Sequence, residues 1–283
     1  MTKVLVATDI HMPSPYLATI LEGIKLVKPD ALIISGDLSV DGKLGDIEKL
    51  FIKLKKANQK MRIIIVLGNH DLWIHEKDID SISKIERINK LCEKYNVELL
   101  DAINRTELGD YDVVGNVGWY DYSFAPGYTD FDYENCNPYG FSKEYIKSNC
   151  IYLNTISQCS CPNWHNDCIY TKLESRSFAK INKEKIERNI RGRQTIIVTH
   201  HAPFKDLIKE HSFFNAYDGQ ELSNIIFNNI IFNSNKKIVY YIYGHLHGNS
   251  VAPKMTINGI TFINAYTFQF KLKDYIQNAL LNL

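Results

Sequence analysis

Five short apolar runs, each rich in β-branched residues and each ending abruptly in polar side chains, constrain the fold of this 283-residue chain. They cover residues 3–11, 31–37, 62–71, 194–201 and 237–247. Continuous apolar runs of this length are typical of strands that are buried on both faces. Helix-like segments at 14–28, 44–56 and 80–95 separate the early runs. This alternation of strand and helix predicts an α/β fold built in layers.

Polar residues with metal-binding chemistry follow every one of the five runs. They are Asp9, His11, Asp37, Asn69, His200, His245 and His247. Ligands of α/β proteins bind beyond the carboxyl ends of the strands, so we expect these side chains to meet in one crevice. Oxygen and imidazole ligands without a thiolate suit manganese, iron, zinc, cobalt or nickel. Glycines at positions 36, 68 and 244 fit tight turns at which backbone approaches a metal or a phosphate.

Taken in order, the five blocks resemble the signature of the calcineurin-like metallophosphoesterase superfamily. They read Asp9-Ile10-His11, Gly36-Asp37, Gly68-Asn69-His70-Asp71, His200 and Gly244-His245-Leu246-His247. The resemblance implies a four-layer αββα sandwich of two mixed sheets flanked by helices. It also implies two divalent cations: one held by Asp9, His11 and His247, the other by Asn69, His200 and His245, with Asp37 as the bridge. Manganese is the metal we expect, and iron, zinc, cobalt or nickel are the alternatives.

The same resemblance implies a reaction, the hydrolysis of a phosphate ester by a metal-activated hydroxide. His70 resembles the family's non-ligand histidine, which contacts the substrate phosphate and protonates the leaving oxygen. Either Asp41 or Asp71 is a candidate to orient the His70 ring. Asp37 and His70 are therefore the predicted catalytic residues.

Three more residues are candidates for positions behind the ligands or against the substrate. His201 is adjacent to His200, and neighbouring residues on a strand point to opposite faces, so only one of the two is expected to bind metal. Tyr120 and Asp121 follow the apolar run 113–117 and are expected near the site.

The second block narrows the predicted substrate. Residues 36–42 read GDLSVDG, which lacks the arginine of the Ser/Thr protein phosphatases, and Val40 stands where purple acid phosphatases carry a tyrosine. The loop resembles the bacterial phosphodiesterase-like branch instead. We therefore predict a small or medium phosphodiester as substrate. A phosphomonoesterase or a nuclease on the same site and a non-catalytic binding scaffold are the alternatives.

The middle of the chain has a different composition. We interpret residues of about 119–172 as an aromatic-rich insertion within a single domain spanning 1–283. No Lys or Arg occurs from 106 to 142, and the net charge of the whole chain is only +1, so binding to duplex nucleic acid is not expected. The cysteines, Cys136 to Cys168 among them, are predicted to be ordinary thiols, because C-x-C at Cys159 lacks the usual zinc spacing. Without an apolar run of spanning length or a leader, we expect no membrane contact and a cytoplasmic location.

Overall fold

The computed structural model describes residues 1–73, 81–121, 123–124, 172–209, 219, 221–232 and 237–283. The predicted insertion at about 119–172 lies almost wholly outside the described residues, as do the five cysteines from Cys136 to Cys168. Cys92 is described, and its thiol is free and buried. In the described part of the chain, no helix combines the length and the apolarity that crossing a bilayer requires.

Strands and helices alternate along the described residues. The strands are β1 (Lys3–Ala7), β2 (Ala31–Ser35), β3 (Arg62–Val66), β4 (Glu98–Leu99), β5 (Arg105–Leu108), β6 (Tyr111–Gly115), β7 (Gln194–Val198), β8 (Lys237–Tyr243), β9 (Lys254–Ile257), β10 (Ile260–Asn264) and β11 (Leu280–Asn282). The helices are α1 (Leu17–Val27), α2 (Leu44–Ala57), α3 (Ser81–Tyr95), α4 (Leu100–Ile103), α5 (Lys172–Asn189), α6 (Glu221–Phe232) and α7 (Leu272–Ala279). The predicted strands 3–11, 31–37, 62–71, 194–201 and 237–247 each end earlier than predicted, because their polar tails form loops.

The strands form two sheets, with the orders β11-β1-β2-β3-β4 and β5-β6-β7-β8-β10-β9. In the first sheet β1 to β4 run parallel and β11 is antiparallel. In the second, β6, β7, β8 and β10 run parallel between the antiparallel edge strands β5 and β9. The prediction of two mixed sheets flanked by helices is confirmed.

Successive side chains of β7, in the second sheet, alternate between two hydrophobic clusters of the core. Ile196 and Val198 of β7 belong to the cluster that includes the first sheet, whereas Ile197 belongs to a second cluster with apolar residues of α5 and α6. Both faces of the strand are therefore buried, which explains why its sequence is a continuous apolar run rather than an alternating one.

A hairpin of β9 and β10 follows the loop that carries His245. Asn258 and Gly259 both have positive φ, 50° and 79°, as a two-residue hairpin turn requires. The strand before the turn is β9, Lys254–Ile257. A 3-10 turn at His247–Asn249 precedes it, so the chain does not pass directly from the His245 loop into β9.

Hydrogen bonds tie together the loops at the carboxyl ends of the parallel strands. The Asp9 amide donates to the Gly36 carbonyl at 3.0 Å, and the Gly244 amide donates to the His200 carbonyl at 2.9 Å. Asp101 connects the two sheets, since its carboxylate accepts from the amides of Leu67 at 2.9 Å and Val117 at 2.7 Å. Burial raises the pKa of Asp101 to about 6. The five predicted ligand loops thus lie at one edge of the sandwich.

Candidate metal centre

The backbone at the carboxyl-end loops turns sharply at the predicted ligands themselves. Five of them have left-handed φ although none is glycine: Asp9 (48°), His11 (50°), Asp37 (52°), His245 (66°) and His247 (47°). This region is costly for residues with a Cβ, and such residues concentrate at sites where the surrounding structure imposes the conformation. Each reversal directs a polar side chain back over the ends of the strands instead of continuing the strand.

Four ligand groups form the first set: Asp9, His11, Asp37 and His247 each offer an atom, and these atoms all lie within 4.8 Å of one another. The Nε2 atoms of His11 and His247 are 3.0 Å apart. His247 Nε2 lies 3.2 Å from Asp9 Oδ1, and His11 Nε2 lies 3.5 Å from Asp37 Oδ2. Asp9 and Asp37 are buried, whereas the His247 side chain is 41% exposed, so this set has an open side toward solvent.

Asn69, His200 and His245 form the second set on the other side of Asp37. Asn69 Oδ1 lies 3.1 Å from His200 Nε2 and 3.2 Å from His245 Nδ1. His200 Nε2 is also 3.4 Å from Asp37 Oδ2. Asp37 therefore reaches both sets, and the structure groups the seven predicted ligands in the two sets that the family resemblance implies.

The glycines of the motifs leave room for these side chains. A Cβ at Gly36, whose φ is +92°, would stand 2.5 Å from His200 Nδ1. One at Gly244 would stand 2.7 Å from Asp9 Oδ2, and one at Gly68 would overlap the Asp37 carboxylate. At these positions the backbone approaches the ligand side chains closely, and its approach to a metal or a phosphate stays a prediction.

The donor set fits a cation. His200 Nδ1 lies 2.8 Å from the Ser35 carbonyl, which can only accept, so Nδ1 carries a proton and Nε2 is the nitrogen turned toward the site. Nε2 faces the carbonyl oxygen of Asn69 and the carboxylate of Asp37, which both accept, so either a proton on Nε2 or a cation in its place satisfies them. Among the described residues, the ion pairs of Asp9 and Asp37 are all with histidines. Two buried carboxylates require positive charge beside them, which protonated histidines or a bound cation can supply.

The pKa values of the carboxylates and histidines in the site also indicate that the buried carboxylates need positive charge beside them. Burial alone would raise the pKa of Asp9, but the His247 and His200 rings together hold the pKa at about 2. Burial alone would lower the pKa of His200, but the Asp37 carboxylate raises it to about 10. His245 differs, because burial and the nearby His200 lower its pKa to about 3, which keeps that imidazole neutral as a metal ligand must be.

His70 stands beside these two sets with its ring fixed by a backbone carbonyl. Its Nδ1 lies 2.7 Å from the Val40 oxygen, so Nδ1 donates and Nε2 is left facing Asp37 Oδ2 at 3.8 Å. Trp73 packs on the ring at a centroid distance of 3.7 Å. Sequence reasoning could not find this partner, because any residue type at position 40 supplies a carbonyl.

The two carboxylates considered as partners of His70 have other contacts. Asp71 is buried and accepts amide hydrogen bonds from Leu38 at 2.9 Å, Ser39 at 3.0 Å and Gly68 at 2.9 Å, which locks the second motif loop onto the third. Asp41 forms an ion pair with Lys43 at 2.6 Å near the surface. The prediction that one of them orients the ring is replaced by the Val40 contact.

His201, Tyr120 and Asp121 lie behind the site rather than against a substrate. His201 is fully buried, 4.7 Å from the His245 ring and 5.6 Å from Tyr120. Tyr120 is fully buried too. Asp121 caps α6, because its Oδ2 accepts from the Glu221 amide at 2.9 Å. Aromatic burial and helix capping determine the positions of Tyr120 and Asp121 behind the ligands, one of the two placements expected from the sequence.

A family model described as calcineurin-like phosphoesterase matches residues 2–249, which include all seven ligand positions. The chain belongs to the calcineurin-like phosphoesterase family. It is therefore a metal-dependent phosphoesterase, and members of the family use a dinuclear centre of divalent metals. No curated protein matches the chain by sequence.

Three solved structures are similar to this chain at low sequence identity. One superposes on this phosphoesterase with a TM-score of 0.53 at 11% identity and covers 93% of this chain and 90% of its own. The protein TT1561 of Thermus thermophilus has a TM-score of 0.48 at 12% identity, over 99% of this chain and 97% of its own. Purple acid phosphatase PPD1 from yellow lupin (Lupinus luteus) seeds has a TM-score of 0.38 at 11% identity, over 87% of this chain and 38% of its own. The first of these similarities supports the sandwich fold.

Proposed function

We propose that this phosphoesterase hydrolyses a small or medium phosphodiester with two manganese ions. One observation carries the dinuclear site: Asp37 Oδ2 lies within 3.5 Å of His11 Nε2 in one ligand set and within 3.4 Å of His200 Nε2 in the other. A carboxylate between two sets can bridge two cations. When bound, the cations supply Lewis acidity and lower the pKa of water.

The chain's own residues would bind the cations, orient the substrate and protonate the leaving oxygen. Asp9 and Asp37 are buried carboxylates on a sandwich edge whose open side carries His11, His70 and His247, which are partly exposed. The Val40 carbonyl fixes the His70 ring so that Nε2 is the nitrogen available to a substrate oxygen. A proton on Nε2 would be delivered to the departing oxygen.

Two features support the diester over the monoester. The loop GDLSVDG resembles the phosphodiesterase-like branch, as argued from the sequence. In the part of the chain that the structure describes, the site's ion pairs are between carboxylates and histidines, with no guanidinium to pair with the second charge of a monoester dianion.

The test is manganese-dependent release of nitrophenolate from bis-p-nitrophenyl phosphate and from p-nitrophenyl phosphate. We expect the larger kcat/KM with the diester and about two metal ions per chain by elemental analysis. Asp37→Asn and His245→Ala should each lower kcat/KM more than about 100-fold.

Asp41→Asn is the matched control for Asp37→Asn, because it removes a carboxylate from the same loop, where Asp41 pairs with Lys43. We expect it to retain the wild-type rate. Activity that survives both Asp37→Ala and His245→Ala would contradict the proposed mechanism, and a larger kcat/KM with the monoester would replace the proposed substrate class.

A further inference from the structure

Three aromatic side chains lie together on the rim of the metal centre, and the proposed chemistry does not use them. Tyr16 directly precedes α1, and Tyr266 and Phe270 belong to the 3-10 turn Tyr266–Phe270 that follows β10. Since β10 is the parallel neighbour of β8, this turn lies beside the loop that carries His245 and His247. We call Tyr16, Tyr266 and Phe270 the rim cluster.

The rim cluster is in direct contact with a predicted metal ligand. The Tyr266 ring stacks on the His247 ring with a centroid distance of 4.6 Å and an interplanar angle of 16°. Phe270 lies 5.3 Å from Tyr266 and 4.6 Å from Tyr16, and Tyr16 lies 5.8 Å from Tyr266. One ring therefore separates Phe270 from the group that would hold the cation.

Phe270 is 50% exposed, so part of its ring faces solvent beside the other two rings of the cluster. Tyr16 and Tyr266 are half-buried beside Phe270, so the ring surface that the rim cluster presents to solvent is mainly that of Phe270.

We propose that Tyr16, Tyr266 and Phe270 form a stacking subsite for a planar aromatic group carried by the phosphate ester. This inference rests on the proposed function, because the phosphate must lie on the cations for its substituent to reach the rim. Stacked or edge-to-face rings stabilise one another beyond the burial of their area. Phe270 contributes the exposed face, and Tyr16 and Tyr266 hold its ring in place.

The experiment uses two phosphonates that the protein cannot hydrolyse at the carbon–phosphorus bond. Benzylphosphonate and cyclohexylmethylphosphonate are nearly equal in size, but only the first has a planar ring. Their dissociation constants are measured by calorimetry with the manganese-loaded protein, and inorganic phosphate is titrated in parallel. We expect benzylphosphonate to bind about two- to tenfold more tightly than its saturated counterpart.

Substitutions test whether Phe270 causes the tighter binding of benzylphosphonate. Phe270→Ala should bring the ratio of the two dissociation constants to about one, and Phe270→Trp should retain it. Leu26→Ala is the matched control, since Leu26 is also an exposed apolar residue (62%) but lies on α1. We expect it to leave the ratio unchanged.

Equal affinities in the wild-type protein, or a preference that survives Phe270→Ala, would overturn the subsite. Binding of inorganic phosphate without binding of benzylphosphonate would also overturn it, while leaving the proposed function intact. Loss of manganese-dependent binding of all three ligands, phosphate included, would overturn the proposed function as well.

Discussion

Gly36→Ala tests whether the space at the motif glycines sets the geometry of the metal centre. The added Cβ would stand 2.5 Å from His200 Nδ1 and 2.9 Å from the Gly68 Cα, whereas real Cβ contacts essentially never fall below 3.0 Å. The His200 ring must therefore move by about 0.5 Å, the difference between 3.0 and 2.5 Å. The side chains of a metal or catalytic site have to be held within about 0.5 Å of their working positions. Since a 1 Å error costs about 100-fold, we expect kcat/KM to fall about tenfold or more.

The same substitution also strains the backbone, because Gly36 has φ +92°. Such strain costs about 1–3 kcal/mol in the free energy of unfolding. At this chain length, each kcal/mol lowers Tm by roughly 2–4 °C. The displaced ring belongs to the set with Asn69 and His245, so we expect the second metal to be lost first and the content to fall from about two ions toward about one per chain.

Substitutions at two other glycines separate the effect of a steric clash from the effect of backbone strain. Gly109 has φ +57°, and its Cβ would meet only Thr2 Oγ1 at 3.2 Å, so Gly109→Ala should lower Tm without changing metal content. Gly45 is exposed at the start of α2 with nothing within 4 Å, so Gly45→Ala should leave metal content unchanged and should raise Tm slightly, because alanine favours the helix. Elemental analysis, calorimetric Tm and kcat/KM are measured for all three variants. A Gly36→Ala protein with two tightly bound metals and wild-type kcat/KM would refute the reasoning.

Three other substitutions test separate parts of the structure. His70→Gln should lower kcat by about 10²- to 10⁴-fold at unchanged metal content, and a parallel loss of metal would show instead that His70 is a ligand. Asp121→Ala removes the cap of α6 and should cost about 1 kcal/mol of stability at unchanged kcat/KM; lost activity at wild-type Tm would place Asp121 in the site. Folding raises the pKa of Asp101 from 3.8 to about 6, so this group stabilises the folded state at pH below about 4. Its contribution of up to about 3 kcal/mol is lost as the pH rises through about 6. In metal-free protein, the difference in unfolding free energy between wild type and Asp101→Asn should change by about 2 kcal/mol between those two pH values, and a constant difference would contradict this.

The sequence predicted the ligand candidates because each one lies shortly after a buried strand. Asp9, Asp37 and His200 stand at the ends of apolar runs, and the carboxyl ends of parallel strands meet at the same edge of a sheet. The short distance in sequence between strand and ligand made the position of each side chain predictable. The same rule, applied to the end of β10, would have indicated Tyr266.

The contacts of the remaining candidates depended on partners far along the chain. Asp121 caps a helix that begins 100 residues later, and the amide partners of Asp71 at Leu38 and Ser39 lie more than 30 residues before it. No local pattern at Asp121 or Asp71 distinguishes these contacts from a position facing a substrate. His70 pairs with the backbone carbonyl of Val40. Because every residue type has such a carbonyl, the identity of residue 40 does not indicate this contact.

The sequence by itself thus determined the layered α/β fold and the identity of the groups at the strand ends, because hydrophobic periodicity and strand-end chemistry are local properties. Only the tertiary structure decided that Asp37 lies between two ligand sets and that Tyr16, Tyr266 and Phe270 gather beside His247. Those arrangements depend on how loops from two sheets approach one another within a few ångströms, and that approach is fixed by packing across the whole sandwich.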